Sequence, residues 1–314
     1  MARRAAAGVL VVLVCLLAPF AVAGLWTKQR LLSTDGWAAL SGSLADDDEV
    51  RRTLGAEISV VVLDAVDAQG RVRRRAEPLV RAAADRALAT DAFEAVWVDA
   101  NRGLHARMIA ALEADEGSQV RLDLRPVLAL VLDAVEEPLA PVLTLPGDVP
   151  ELSAPPSPEE AGAVIEAALG RPFADDRATV VVIRDDRIAT ARTVYRQVDR
   201  SAILLAAVTV LLAAAAVALG RDRWKTAAAI GLGSALTLAL GWIASLGVGS
   251  VVGSFLGEGV GRSVAEASAR VAADDLGARY VVTATVLGLA GLACAIVAAV
   301  RGRSFAGVAH ASAA

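Results

Sequence analysis

Four long segments without a charged residue constrain this chain more than any other feature. Each reaches the about 20 residues that a helix needs to cross about 30 Å of hydrocarbon. The four segments are Ala5 to Trp26, Ser201 to Gly220, Thr226 to about Gly247, and Tyr280 to Val300. Since 56% of the 314 residues are also apolar, the sequence excludes a simple soluble enzyme and a disordered chain. We expect a protein embedded in the lipid bilayer.

The basic residues beside these segments predict the orientation, because short cytoplasmic loops are enriched in Lys and Arg. The basic residues at the flanks are Arg3, Arg4, Arg221, Arg223, Lys225, Arg301 and Arg303. Both termini are therefore predicted in the cytoplasm, with residues 27–200 and a loop at 248–279 outside. The segment 27–200 carries 30 acidic and 21 basic residues, a net charge of −9.

The first apolar segment has two interpretations. Two arginines, an apolar run and the small residues Ala21, Val22 and Ala23 also describe a signal peptide that is cleaved after Ala23. The run of about 20 residues exceeds the 7–15 of a typical signal-peptide core, which favours a retained anchor. Cys15 and Cys294 both lie in apolar segments. The outer domain must therefore fold without disulfides.

These patterns divide the chain into four parts. Residues 1–26 form an N-terminal anchor and residues 27–200 an extracytoplasmic domain. Residues 201–301 contain three spans, with the outer amphipathic loop 248–279 between the second and third of them, and residues 302–314 form a cytoplasmic tail.

The outer domain is predicted to be mostly helical. The acidic run 46–49 is typical of a helix cap and first turn, where carboxylates meet N–H groups that lack a helical partner. Helices are expected at about 72–90 and 91–116, and another from residue 187 into the second span.

Two segments have a strand pattern. Residues 120–124 alternate with period two, and residues 179–183 form a short apolar run, so we expect the two to share a small sheet. Seven of the eleven prolines fall within 138–158, which predicts an extended connector. The expected fold class is a mainly α membrane protein with four transmembrane helices and an external, mostly helical α+β domain.

The helix at 91–116 carries the best candidate interaction residues. Its predicted core-facing stripe consists of Phe93, Trp97, Ala100, Leu104, Met108 and Ala111. Glu94, Asn101 and His105 are predicted to form a polar ridge beside that stripe. A binding or proton-linked role for Asn101 and His105 competes with a structural hydrogen bond at the stripe's edge, which we favour. We expect Trp97→Ala to destabilise the domain and His105→Ala to cost little.

A run of arginines stands out in this acidic domain. Arg71 is followed by Arg73, Arg74 and Arg75, and such a run can face an anionic membrane surface or an anionic envelope polymer. A solvated helix start is the simpler explanation. Arg73, Arg74 and Arg75 are kept as candidate interaction residues.

A glycine repeat follows the third span. Gly249, Gly253, Gly257 and Gly261 recur every four residues, a spacing that lets membrane helices approach closely. Glycine also loosens helices, so we expect a break between residues 247 and 261. From residue 258 to 274, charges alternate in sign at a spacing of four, which predicts an external amphipathic helix that either covers the domain or lies on the membrane.

No catalytic, metal or cofactor motif is present in the sequence. The chain has two histidines, His105 and His310, and lacks HExxH, paired cysteines, GxSxG and Walker A spacing. The segment 257–261 resembles a phosphate loop only superficially, since a membrane span precedes it. We expect no cofactor, no metal and no nucleic-acid partner.

Several short stretches resemble a family of uncharacterised actinobacterial integral membrane proteins. The similarity is carried by residues 93–97 with 100–102 and His105, by 33–37 with 48–50, and by 120–128. The resemblance implies one span, an external domain and three further spans. It implies no activity or ligand.

The expected function is therefore that of a non-enzymatic cell-envelope membrane protein whose external domain binds an envelope protein or polymer, or organises an assembly as a homo-oligomer. The alternatives are a sensor of an extracytoplasmic ligand and, less favoured, an envelope hydrolase that uses carboxylates such as Asp123 or Glu94.

Overall fold

A computed structural model describes most of the chain. The described residues are 2–65, 68–114, 120–140, 156–173, 179–183, 185–247 and 260–311, with single positions between 147 and 154. They form two compact units, each treated by itself. The membrane bundle comprises Met1–Gln29, Arg196–Val248 and Ala272–Ala314, and the helical domain comprises Arg30–Tyr195 and Gly249–Val271.

Helices dominate both units. The elements are α1 (Ala2–Arg30), α2 (Thr34–Ala45), α3 (Asp48–Ala65), α4 (Gly70–Ala87), α5 (Asp91–Glu113), β1 (Val120–Asp123), α6 (Arg125–Leu139), α7 (Pro158–Leu169), β2 (Thr179–Ile183), α8 (Asp185–Leu219), α9 (Arg223–Ser245) and α10 (Val260–Ala311).

Four segments of these helices are long and apolar enough to cross a membrane. They are Arg3–Arg30, Tyr195–Leu219, Arg223–Ser245 and Glu266–Arg301. This finding confirms the prediction of a multi-pass membrane protein with four spanning helices. The fourth differs in one respect, because the expected amphipathic helix and the last span form the single helix α10. Gly277 lies inside this continuous helix. A Cβ atom at Gly277 would lie 2.9 Å from Cδ1 of Trp242, so the residue lies against α9.

A close backbone contact in the membrane bundle joins α9 to α10. A Cβ atom on Gly231 would lie 2.6 Å from the carbonyl oxygen of Leu287 and 2.7 Å from the Cα of Gly291. Gly291 in turn faces the backbone of Leu232 at 2.9 Å from its Cβ position. The two backbones therefore meet without a side chain between them, as small residues allow in membranes.

The backbone of α1 near Pro19 accepts hydrogen bonds from two other helices. Pro19 lies inside α1 and has no N–H to donate to the carbonyl of Cys15, four residues earlier. The hydroxyl of Thr237 donates to that carbonyl at 2.7 Å, and the hydroxyl of Tyr280 donates to the Pro19 carbonyl at 3.2 Å. In a bilayer, backbone groups need partners within the protein, and α9 and α10 supply them here.

The basic flanks of the spans meet at one end of the membrane bundle. The guanidinium of Arg3 donates to the carbonyl oxygens of Ala218 and Leu219, the last residues of α8, at 3.1 Å each. The guanidinium carbon of Arg301 lies 5.4 Å from the ring centre of Trp224, in the first turn of α9. Cations near a helix C-terminus and over an aromatic face are both favourable contacts.

The helical domain has a core between α3, α4, α6 and α7. Its fully buried side chains include Leu63, Val80, Leu132 and Ile165. On α4 the buried residues are small, which lets α3 and α6 pack closely against it. The buried residues of α4 are Ala76, Val80, Ala83, Ala84 and Ala87.

A second cluster joins α2, α5 and the start of α10. Phe93 and Trp97 of α5 contact each other with ring centres 5.8 Å apart, and Ala267 of α10 is completely buried in the same cluster. Arg270 donates to Glu49 at 3.1 Å and lies 3.8 Å from Asp47. The start of α10 therefore covers the domain, which is one of the two placements that the sequence allowed.

The acidic helix start is confirmed at α3. The carboxylate of Asp47 accepts hydrogen bonds from the backbone N–H groups of Glu49 at 2.9 Å and of Val50 at 3.1 Å. These donors have no partner within the helix, so the side chain of Asp47 caps it.

Extended structure in the described residues is limited to one ribbon. Strands β1 and β2 pair antiparallel, with Val120 opposite Ile183 and Asp123 opposite Thr179. Two strands fall short of the three or more that form a stable sheet face, so the domain is helical and not layered α+β. About half of the expected connector at 138–158 lies outside the described residues, and its two edges are the end of α6 and the start of α7.

Candidate interaction site

His105 lies inside the helical domain and not on its surface. Its side chain is 1% exposed, with Nε2 2.9 Å from the carbonyl oxygen of Leu31 and Nδ1 3.2 Å from Thr34 Oγ1. The ring of Trp37 stacks on the imidazole, with centroids 5.5 Å apart and planes 17° apart. His105 therefore fixes the start of α2 against α5.

These partners define the protonation of the imidazole. A carbonyl oxygen only accepts, so Nε2 carries the proton that it donates to Leu31, and the neutral Nδ1 accepts from the hydroxyl of Thr34. Burial lowers the pKa of His105, against the opposing effect of the hydrogen bond to Leu31. The group is neutral at pH 7, and both nitrogens are already engaged.

Asn101 and Trp97 are buried as well. Asn101 is 7% exposed and donates to the Trp97 carbonyl at 2.9 Å, while the indole N–H of Trp97 donates to the Ser41 carbonyl at 2.8 Å. The predicted polar ridge is therefore wrong for Asn101 and His105. Both belong to the buried face of α5, whereas Ala100 and Leu104 are only partly buried.

The partners of His105 could not be predicted from the sequence. Leu31, Thr34 and Trp37 lie about 70 residues before it, and nothing in a single sequence links such distant positions. The indole N–H of Trp37 is buried and finds no hydrogen-bond partner among the described residues.

Glu94 is the one residue of the predicted ridge that faces solvent. It is exposed together with Asp91 and Asp99 along α5, beside a shallow depression that also involves Ala95, Val98 and Arg102. Arg102 is held at the edge by Asp35, whose carboxylate lies 2.9 Å from the guanidinium. Three of the six residues that line the depression are acidic.

The arginine run of α4 divides into two kinds of residue. Arg73 is partly buried and forms an ion pair with Asp64 of α3. Arg71, Arg74 and Arg75 are exposed, and within the described part of the chain they form no ion pair. They are at spacings of three and four residues and share one helix face. Of the candidate arginines, Arg74 and Arg75 are available for interaction, and Arg73 has a structural partner.

Of the glycines in the predicted repeat, Gly249, Gly253 and Gly257 lie outside the described residues, and Gly261 belongs to the first turn of α10. Close helix approach is found elsewhere, at Gly231 and Gly291.

Within the described ranges, no group of three His, Cys, Asp or Glu side chains is placed to hold a metal ion. No protein-family model, curated protein or solved structure matches the chain. The resemblance to actinobacterial membrane proteins therefore gains no support from these comparisons.

Proposed function

We propose that this chain is a non-enzymatic membrane protein of the cell envelope, whose helical domain faces outward and binds a partner or organises an assembly. The supporting observation is a contrast between buried and exposed polar groups. Buried Asn101, His105, Ser41 and Ser59 all form hydrogen bonds within the domain. Exposed Arg71, Arg74 and Arg75 of α4 and exposed Asp91, Glu94 and Asp99 of α5 form no ion pair with another described residue and are left for other molecules.

The proposed orientation is supported by the charges of the membrane bundle. The basic flanks of α1, α9 and α10 meet at one end of the bundle, as the contacts of Arg3 and Arg301 indicate. That end is the cytoplasmic one by the enrichment of Lys and Arg in short cytoplasmic loops. The hydrogen bonds from Thr237 and Tyr280 to the backbone of α1 favour a first span that is retained.

The alternatives have less support. The hydrolase alternative relies on carboxylates, one of which would have to hold its proton near neutral pH as a general acid. Partial burial alone raises the pKa of Asp123, but the hydrogen bonds from Arg125 and the charges of Arg125 and Arg107 leave that pKa lowered. Asp123 thus acts as the partner of Arg125, 2.6 Å away. A sensor needs a cytoplasmic output surface, and the turn between α8 and α9 has only three residues, 220–222.

Site-specific photo-crosslinking in native membranes tests the proposal. A photoreactive residue replaces Glu94 or Arg74, and a matched control replaces Glu136, an exposed acid on α6. We expect a crosslinked product at positions 94 and 74 and none at 136. Equal or absent crosslinking at all three positions would contradict a binding function for these faces. Mass spectrometry of the product identifies the partner.

A further inference from the structure

Two exposed helix faces of opposite charge lie on the helical domain. The basic face of α4 consists of Arg71, Arg74 and Arg75, and the acidic face of α5 consists of Asp91, Glu94 and Asp99. All six side chains are exposed, and none is engaged in an ion pair with another described residue. Two neighbouring arginines differ in this respect, because Arg73 pairs with Asp64 and Arg102 pairs with Asp35.

The two faces are opposite in charge, and the acidic one is the longer of the two. Each set of three lies on the solvent side of a helix whose opposite side is buried in the core. The basic set extends over about 6 Å of helix and the acidic set over about 12 Å, at about 1.5 Å per residue. Exposed Ala95 and half-buried Val98 lie between the acids. The acidic face is thus long enough to accept all three arginines along a partner helix.

We propose that the acidic face of α5 binds the basic face of α4 from a second copy of this chain. The inference rests on the proposed function, in which the domain binds a partner. An anionic polymer or lipid surface would engage only the arginines of α4 and would leave the exposed acids of α5 without a partner. A second copy uses both faces, and complementary charge fixes the orientation of contact.

The contact joins two different faces, so it runs head to tail. Each bound copy still has one free basic face or one free acidic face, and further copies extend the contact into a ring or a row. Exposed ion pairs are individually weak and screened by salt. Confinement of all copies to one membrane raises their effective concentration and lets such weak contacts act together.

A charge-swap experiment tests this contact in the full-length protein. Two populations carry different fluorescent tags in vesicles of neutral lipid, and energy transfer between them reports association. One variant reverses the basic face (Arg74→Glu with Arg75→Glu), and another reverses the acidic face (Glu94→Arg with Asp99→Arg). A control reverses two exposed acids elsewhere, Glu57→Arg with Glu136→Arg.

We expect each reversed variant alone to associate roughly tenfold more weakly than the native protein, and the control to associate normally. Mixing the two reversed variants restores association, because each then meets a face of opposite charge. Failure of the mixture to recover, or an unaffected reversed variant, overturns the head-to-tail contact. If transfer appears only when anionic lipid is added, the basic face binds that lipid and the inference is wrong.

The crosslinking experiment separates this inference from the proposed function. A crosslink from position 94 or 74 to a different protein or to a polymer overturns self-association and leaves a binding function in place. Absence of any crosslink from either face overturns both.

Discussion

Thr237 donates its hydroxyl hydrogen bond to the carbonyl of Cys15, the acceptor that Pro19 leaves without a helical N–H. A proline in a membrane helix exposes a backbone oxygen, and an unsatisfied oxygen is costly where water is absent. The position of Thr237 on α9 is therefore matched to the position of Pro19 on α1.

Replacing Thr237 by valine should destabilise the bundle by about 0.5–2 kcal/mol, the range for hydrogen bonds between membrane helices. The loss should shrink when Pro19→Ala is also present, because an alanine at that position restores the N–H that bonds to the Cys15 carbonyl. Unfolding of the detergent-solubilised protein measures both. Thr209→Val is the control, since Thr209 bonds to Leu205 of its own helix. An equal loss in both backgrounds would refute the coupling.

Gly231→Ala should destabilise the bundle by about 1–3 kcal/mol, since a new methyl group would overlap the backbone of α10. Gly8→Ala is the matched control, because no atom lies within 4 Å of its Cβ position. Alanine favours helices over glycine, so the control should be neutral or slightly stabilising. Thermal unfolding in detergent compares the two, and a neutral Gly231→Ala would argue against the close contact.

His105 should make the stability of the helical domain depend on pH. Burial lowers the pKa of His105 in the folded protein, whereas the unfolded chain titrates near 6.5. Above that pH both states are neutral and stability is full. As pH falls below about 6.5, the unfolded chain binds a proton that the folded protein resists, and stability decreases.

His105→Gln should flatten this part of the pH profile, measured as melting temperature by Trp fluorescence between pH 5 and pH 8. The carboxylate of Asp123, whose pKa is also lowered, acts at lower pH, around and below its ordinary value of 3.8. An unchanged slope between pH 5 and 7 in the variant would assign the dependence to other groups.

His105→Ala should cost more than the sequence predicts. The side chain is 1% exposed, and its removal leaves a cavity and an unpaired Leu31 carbonyl. We expect a loss of about 2–4 kcal/mol. A loss below about 0.5 kcal/mol would show that α2 does not depend on this contact.

Trp97→Ala should destabilise the domain by about 3–5 kcal/mol, because the ring is 6% exposed and contacts Phe93. Trp97→Phe should cost less, because it removes the hydrogen bond to Ser41 and part of the ring but keeps an aromatic side chain in the core. Val60→Ala, at a side chain that is 46% exposed, provides the control for a truncation outside the core. An unchanged melting temperature combined with lost binding would instead make this stripe a ligand surface.

Reporter fusions test the topology. A reporter after residue 100 or near residue 265 should behave as external, and one after residue 303 as cytoplasmic, if the basic end of the bundle lies inside. An external reporter at residue 303 would reverse the proposed orientation. Intact mass decides separately whether the chain is cleaved after Ala23.

The four spans could be predicted because a bilayer imposes length and hydropathy on each helix independently. The helices α6 and α7 were missed for a local reason. Both carry a proline in the first turn, Pro126 and Pro158, where it fits without breaking a helix. The capping box of Ser157 and Glu160 indicates the start of a helix. The prolines around it favoured an extended connector instead.

The interior of the domain was less predictable. His105 and Asn101 follow Phe93 and Trp97 at a spacing of four, so helical periodicity places all four on one face. Because of their polarity, Asn101 and His105 were predicted at the edge of that face, with a structural hydrogen bond. Their burial depends on hydrogen-bond partners far away in the chain, such as Leu31 and Thr34, which periodicity does not contain. The exposure of Glu94, Arg74 and Arg75 depends on no such distant partner, so local polarity is enough to predict it.

The meeting of Gly231 and Gly291 also limits how the surrounding lipid can act on the protein. Where two backbones touch with no room for a methyl group, an acyl chain or a detergent tail has no room either. Lipids of another chain length or saturation can exchange around α9 and α10 but cannot enter between them. At this contact, α9 and α10 therefore remain in direct contact in membranes of different lipid composition.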